Sequence, residues 1–475
     1  MSTPIPNILA SRYASPELCA LWSEGGRILL EREFWIAVLK AQHELGLDIP
    51  AEAIEAYEKV KHQIDTESIA RREAQLRHDV KARIEEFCSL AGCEHIHQGL
   101  TSRDLTDNVE QYQILRSLQL VRLKYAALLL SLARRANQWK GEVVVGRTHH
   151  APAQPTTLGK RLAMFGEEML QAFGRLERLI DHYPLRGLKG AVGTALDQAT
   201  LFDGDLDKVN TLQQNVLTHL GFKRQLNAVG QIYPRSLDFE VLSCLYQLGA
   251  GVSSLARTLR LMAGAELATE GFAQGQVGSS SMPHKMNTRT SERINGLQAV
   301  LGGYVHMAGA LAGDQWFEGD VSCSVVRRVA LPDAFFAFDG LVEAALHVLD
   351  DMGIFEVVIR AELARYLPFL ATTTLLMEAL RLGAGREQAH QAIKEHAVAV
   401  ALQMREQGQA CNDLARRLGA DPRFPLATEE IERILQPGQD FIGLAIAQAE
   451  TFVAQVEEVG RRYPAASQVR KSRLL

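Results

Sequence analysis

Proline is thinly spread along this chain. Fifteen prolines serve 475 residues, with none between Pro184 and Pro234, between Pro234 and Pro283, or between Pro283 and Pro332. Proline ends or kinks a helix, so these gaps leave room for long helices that the prolines punctuate rather than interrupt. Cysteine is scarce too: Cys19, Cys88, Cys93, Cys244, Cys323 and Cys411 are scattered, with no Cys-x-x-Cys. That excludes a disulfide framework and suits a reduced, cytoplasmic protein whose thiols fill core space. Cys88, Cys93, His95 and His97 fall close together but match no common zinc spacing, so no metal is expected. No apolar run reaches the roughly eighteen residues needed to cross a bilayer, and Met1 to Ala10 lacks the basic-then-apolar order of a secretory signal. Neither charge sign dominates. A net charge of −5 and a pI near 6.3 argue against a general nucleic-acid or membrane-surface binder. Also absent are an alternating βαβ pattern, a Gly-x-Gly-x-x-Gly dinucleotide turn and a Walker loop.

What is present is apolar periodicity. A hydrophobic content of 47% over this length allows two or three domains with large cores. Helical patterns run from about Trp22 to Leu45 and from Ala51 to Leu90, followed by a break from Gly92 to Thr101. Beyond Asp104, apolar residues recur in alternating steps of four and three. One such series is Ile114, Leu118, Val121, Tyr125, Leu128 and Leu132; others begin at Leu158, Val241, Ile294 and, more weakly, Phe338. That repeat belongs to helices packed nearly parallel. The expected fold is all-α: an elongated central five-helix bundle over 102–354, flanked by smaller helical domains over 1–101 and 355–475. Leu297 to Ala312 contains no Asp, Glu, Lys or Arg, so its outer face is expected to meet another subunit. Arg470 to Leu475 reads as a frayed basic tail.

The polar residues gather at a few places. Gln276 to Arg293 carries four serines, a histidine, a lysine, an asparagine and two arginines beside Gly278 and Pro283. A structural connection seldom collects so many groups able to bind an anion. Gly146-Arg147-Thr148-His149-His150 ends an apolar stretch, and either histidine there could give or take protons near neutrality. Arg77, His78 and Asp79 are consecutive inside a helical pattern, where they cannot share a face. Thr101 or Ser102 can cap the first bundle helix, and the same helix start offers N–H groups to an anion. Arg12, Tyr13, Arg293, Ser324 and Arg328 complete the set. Ser324 and Arg328 lie four apart, on one face if helical, a pairing suited to phosphate.

Gly278-Ser279-Ser280-x-Met282-Pro283-x-Lys285-x-Asn287 resembles the signature loop of the fumarase/aspartase superfamily, whose members break a C–N or C–O bond in a succinyl group and release fumarate. Many members follow the asparagine with proline; here it is Thr288. The resemblance extends over nearly the whole chain. Ala10 to Glu17, Leu76 to Val80, Lys189 to Thr194, Gln315 to Glu318 and Leu367 to Thr372 look like the branch that cleaves succinylated purine nucleotides. It implies roles residue by residue. Ser279 matches the base, His149 the acid and Glu292 the carboxylate that orients the histidine. Lys285 and Asn287 match contacts to substrate carboxylate. Arg77, His78, Asp79, Thr101 and Ser102 match further substrate contacts. Arg12, Tyr13, Ser324 and Arg328 match the phosphate end, with Arg293 another nucleotide contact. Two family glutamines are replaced by Ala151 and Ala195, and Gln198 stands three residues after the second.

These residue types suit the chemistry. A proton α to a carboxylate leaves a doubly negative aci-carboxylate, which fixed donors such as Lys285 and Asn287 would stabilise. Serine is a weak base in water, so a loop that shuts over substrate is expected. No metal or organic cofactor is called for. The resemblance also implies a homotetramer whose active sites draw on three subunits. Helices of about 25 residues span roughly 37 Å, and on that basis His149 and Ser279 are expected at alternate ends of the bundle. Two other readings compete: another fumarate-releasing C–N lyase of the fold, argininosuccinate lyase among them, or a non-catalytic helical scaffold.

Overall fold

The computed structural model describes residues 5–271, 281–282, 284–409, 411–436 and 441–469. Ser279, with Gly278 and Ser280, therefore lies outside the described residues, as do Pro283 and the basic tail 470–475. The chain begins with α1 (Ile8–Arg12), α2 (Pro16–Trp22), α3 (Glu24–Glu44), α4 (Ala51–Val60), α5 (Thr66–Leu76) and α6 (Asp79–Ala91). Phe34, Trp35, Tyr57 and Phe87 fill the core between them. Buried ion pairs, Arg32 with Glu86 and Arg83 with Glu31, both at 2.6 Å, tie α3 to α6.

The single helical pattern expected from Ala51 to Leu90 is broken twice. Asp65 caps α5 by accepting from the Ser68 N–H, and His78 caps α6 by accepting from the Lys81 N–H. Between them Arg77 ends α5 in the left-handed region at φ 54°. Apolar periodicity runs on through both breaks, because the caps are made by polar side chains that it does not register.

The centre is a bundle of five long helices: α7 (Ser102–Gln138), α8 (Leu158–His182), α11 (Ser236–Gly264), α12 (Arg289–Leu311) and α13 (Cys323–Asp351). The short α9 (Leu196–Leu201) and α10 (Leu206–His219) cover one end. The fold is all-α in character, as the periodicity predicts. Among the described residues of the bundle one proline does interrupt, however: Pro332 lies inside α13. Burial of Leu331, Ala334 and Phe335 around it holds the helix together despite the missing N–H.

Side-chain contacts fix the direction of the helices. Arg327 at the start of α13 meets Glu110 near the start of α7 at 2.6 Å, and Arg135 near the end of α7 bonds the Leu349 carbonyl near the end of α13. α7 and α13 thus run parallel, and α7 alone, with 37 residues, is roughly 55 Å long.

At the far end of α7 the chain makes an antiparallel hairpin, β1 (Val143–Thr148) and β2 (Ala151–Thr157). The apolar stretch and proline-marked break expected there are therefore strands. Pro152 and Pro155 argue against a sheet interior, but a two-stranded ribbon is all edge and tolerates them. A second small ribbon, β3 (Ala268–Thr269) with β4 (Gly353–Ile354), lies at this same end. The remaining helices are α14 (Glu356–Leu370), α15 (Thr372–Arg381), α16 (Arg386–Glu406), α17 (Leu414–Gly419), α18 (Thr428–Ile434) and α19 (Ala445–Arg462). α15 to α18 close a small core of their own around Leu375, Ile393, Leu414 and Ile431. α19 returns to the bundle, burying Phe452 and Val456 in the main core.

Candidate active site

The candidate residues fall at two ends of the bundle and one place along its side. At the hairpin end, His149 and His150 form the two-residue turn, both with positive φ, 51° and 63°. Two-residue hairpin turns need that geometry, usually from Asn-Gly. A side chain held there costs about 1–3 kcal/mol. The hairpin is braced to carry it. Arg161 donates to the Val145 carbonyl at 2.7 Å, and Arg147 pairs with Glu362 of α14. At Gly146 the register shifts, and a Cβ would come within 2.3 Å of the Gln154 carbonyl. Beside the turn lies a cavity of about 990 Å³ lined by Arg147, Thr148, His150, Lys160, Arg161 and Arg260, and no carboxylate lines it among the described residues. His150 faces this cavity, while His149 is exposed and is not part of its wall.

The flanks of the signature loop are at the hairpin end as well. Leu267 lines the same cavity, and Thr269 pairs with Gly353. Glu270, buried, accepts from the Thr290 N–H, the Ser291 N–H and the Ser291 hydroxyl at 2.9, 2.9 and 3.0 Å. One carboxylate thereby caps α12 and joins the loop's entry to its exit. No sequence motif announced Glu270. Lys285 is exposed and Asn287 half-buried. Glu292 is exposed on the first turn of α12, and the structure does not pair it with His149 within one chain. The expectation that helix length separates His149 from the loop is corrected here: entry, exit and hairpin share an end. The helix ladder α7–α8–α11–α12 returns the chain to the same side before and after the loop.

What length does separate is His149 from the other group. Thr101 caps α7, and Asp104 accepts from the Thr101 N–H and hydroxyl at 2.9 and 3.2 Å. Asp104, fully buried, also takes Arg186 at 2.8 Å and the N–H groups of Lys189 and Gly190 at 2.8 and 3.0 Å. Asp107 pairs with Arg103 and Arg235, and Arg327 with Glu110 and Asp238. This buried ionic lattice fixes Thr101, Ser102, the Lys189–Thr194 turn and the start of α13 as one body. Ser324 and Arg328 stand on the first two turns of α13, Arg328 exposed. The lattice escaped sequence reading because, apart from Thr101–Asp104 and Arg103–Asp107, its pairs join residues 82 to 217 apart.

Arg77, His78 and Asp79 belong to the same end. Arg77 and His78 form the break between α5 and α6 and Asp79 opens α6, so none sits in a helix interior, and all three are exposed. Partial burial raises the Asp79 carboxyl, but Arg83 and the Val80 N–H outweigh it and hold it below the usual range. His97 nearby is pushed down to about 4, first by burial and then by Lys81 and His78, against the opposing pull of Asp104. Its Nδ1 accepts from the Trp35 indole at 3.0 Å. Cys88 and the Cys93 carbonyl meet the Tyr57 hydroxyl. Among the described residues no three His, Cys, Asp or Glu side chains gather as a metal would need.

Gln198 donates to the Gln98 and Gly99 carbonyls and is 1% exposed, so its amide nitrogen serves the fold. Ala195 stands at positive φ, 51°, before α9. Along the side of the bundle, the Arg293 guanidinium lies 5.7 Å from the Tyr13 ring centroid, which brings two of the expected nucleotide contacts together. Arg12 beside them is exposed.

A family model described as Lyase matches residues 15–303, and one described as Adenylosuccinate lyase C-terminus matches residues 368–452. The chain is 35% identical over 452 residues to adenylosuccinate lyase of Saccharomyces cerevisiae, covering 94% of this chain and 93% of that one. It is 33% identical to adenylosuccinate lyase of Schistosoma mansoni, covering 94% of each. Among solved structures, a 3-carboxy-cis,cis-muconate lactonizing enzyme from Pseudomonas putida superposes with a TM-score of 0.80 at 20% identity, covering 96% of this chain and 100% of that one. A fumarate lyase from Mesorhizobium sp. BNC1 follows at 0.78 and 20%, covering 93% and 98%. At such identity the two structures speak for the fold alone.

Proposed function

The chain belongs to the adenylosuccinate lyases of the fumarase/aspartase superfamily, and we propose that Ser279 and His149 are the base and acid of its elimination. It is a C–N lyase that splits adenylosuccinate into AMP and fumarate. The observation that carries this reading is identity of 35% sustained over 94% of the chain. The same chemistry extends to SAICAR, whose cleavage gives AICAR and fumarate. In the proposed sequence Ser279 takes the proton α to the succinyl carboxylate, and the electron pair moves into an aci-carboxylate held by Lys285 and Asn287. The C–N bond then breaks as His149 protonates the departing nitrogen. Glu292 orients His149. Arg77, His78, Asp79, Thr101 and Ser102 hold the substrate. Arg12, Tyr13, Ser324 and Arg328 take the phosphate, and Arg293 the nucleotide.

We propose a homotetramer with shared active sites, which this assignment requires. His149 and the pair Thr101–Ser102 lie at opposite ends of α7, roughly 55 Å of helix apart, far beyond one nucleotide. A neighbouring chain running the other way brings the two ends together. The exposed side of α12 offers the surface for it: Gly296, Ala299, Gly303, His306 and Ala310 form a stripe of alternating four and three spacing, flanked by exposed Val300 and Tyr246. Cytoplasmic residence fits the scattered thiols. No helix of the described residues is long and apolar enough to cross a membrane.

The direct test is fumarate release from adenylosuccinate, SAICAR and argininosuccinate in parallel. Release from the first two is expected. Release from argininosuccinate alone moves the chain to the rival lyase, and release from none leaves the scaffold reading.

A further inference from the structure

The segment 5–15 carries Arg12 and Tyr13 but has little core of its own. α1 has five residues, of which only Leu9 is buried. Its position comes from α13. The Asn7 side chain donates to Asp333 at 2.6 Å, and the Ser15 N–H donates to Asp339 at 2.6 Å in a buried contact. The second oxygen of Asp339 takes Lys124 at 2.6 Å, and Lys124 also reaches Glu343 at 2.7 Å. Asp339 is thus held on both oxygens, 3% exposed.

Between these anchors Tyr13 rests on Gly340. A Cβ at 340 would lie 2.5 Å from the Tyr13 Cβ and 3.1 Å from its carbonyl oxygen. Glycine inside a helix weakens it by roughly 0.5–1 kcal/mol relative to alanine, so its presence here serves the close approach. The Tyr13 ring in turn lies under Arg293 of α12. One tyrosine thereby touches α13 through its backbone and α12 through its ring.

We propose that Asp339 and Gly340 are positioning residues that seat the Arg12–Tyr13 segment for the substrate's phosphate. This inference rests on the nucleotide reading above. Neither residue touches substrate. Charge-assisted recognition of phosphate depends on the donor's placement within a fraction of an ångström, and a five-residue helix cannot supply that by itself.

The test compares adenylosuccinate with its dephosphorylated nucleoside in four variants. Gly340→Ala and Asp339→Ala should each raise KM for adenylosuccinate about tenfold, with kcat near that of the parent and kcat/KM on the nucleoside unchanged. Glu343→Gln, which disturbs the same ion cluster without touching the segment, should move neither. Arg12→Ala should raise KM for adenylosuccinate alone. Gly340→Ala adds no charge defect, and a Tm near the parent's shows that a loss seen there comes from the displaced segment and not from a failure to fold. If Arg12→Ala raises that KM while Gly340→Ala and Asp339→Ala do not, or if these two depress both substrates equally, the positioning role is wrong. If Arg12→Ala leaves KM unchanged, the phosphate reading beneath it is wrong.

Discussion

Arg327 and Arg328 are adjacent in sequence and opposite in use. Arg327 is buried between Glu110 and Asp238, with the Tyr233 ring 4.9 Å away, while Arg328 is exposed. Arg328→Ala should raise KM for adenylosuccinate with little change in Tm, since exposed side chains away from special contacts contribute within about 0.5 kcal/mol. Arg327→Ala should instead destabilise by about 3–5 kcal/mol, because it strands the buried Asp238 carboxylate and unpairs the part-exposed Glu110. Steady-state kinetics and thermal melts of both variants check the contrast; equal melting loss would refute it. Ser279→Ala should abolish turnover while retaining substrate binding. His97 gives the pH dependence. Unfolded, it takes a proton near 6.5; folded, only near 4. Its contribution to stability is therefore complete above pH 6.5 and is lost as pH falls from there toward 4. Urea midpoints at pH 7.5 and 5 should converge in His97→Gln relative to the parent, and an unchanged pH slope would remove His97 as the cause.

At the scale of single elements, the hairpin turn and the start of α12 make separate predictions. Both histidines of the turn pay for positive φ, but only His149 matches the acid. His150→Gly should relieve strain, leave turnover in place and raise Tm slightly, whereas His149→Gly should relieve the same strain and lose turnover. A dead His150→Gly with an active His149→Gly would exchange the two roles. At α12, Glu270→Gln keeps the shape of the cap but removes the charge facing the helix N-terminus. That should cost about 1 kcal/mol by melting; a cost near zero would mean that the carboxylate is not what fastens the loop's two ends.

For the whole molecule, the length of α7 decides which residues cannot meet inside one chain. The His149→Ala protein, nearly inactive, and the Arg328→Ala protein, slow at adenylosuccinate concentrations far below its raised KM, should regain partial activity at such concentrations when their subunits are mixed and reassembled, since some sites then draw both intact residues from different chains. Recovery must be partial, because random mixing also builds doubly defective sites. Light scattering should find a tetramer. Verified mixed assemblies as inactive as either parent, or an active monomer, would overturn the shared site.

Local pattern along the chain was enough for the helical class, the five long helices and the reaction class. Apolar spacing along Ile114 to Leu132 and its counterparts is a local property of the chain, and the order of groups in Gly278 to Asn287 is carried without reference to anything distant. Periodicity could not show the turns made by polar caps at Asp65 and His78, nor a hairpin that tolerates Pro152 and Pro155. Tertiary structure alone decided which charges are buried. Asp104 finds Arg186, and Arg327 finds Glu110, only after folding brings segments far apart in sequence side by side. The same holds for the placement of the site: two ends of one helix are neighbours in the list of motifs and roughly 55 Å apart in space. A linear pattern encodes which faces are apolar, whereas distance across the bundle is set by how many times the chain turns back on itself.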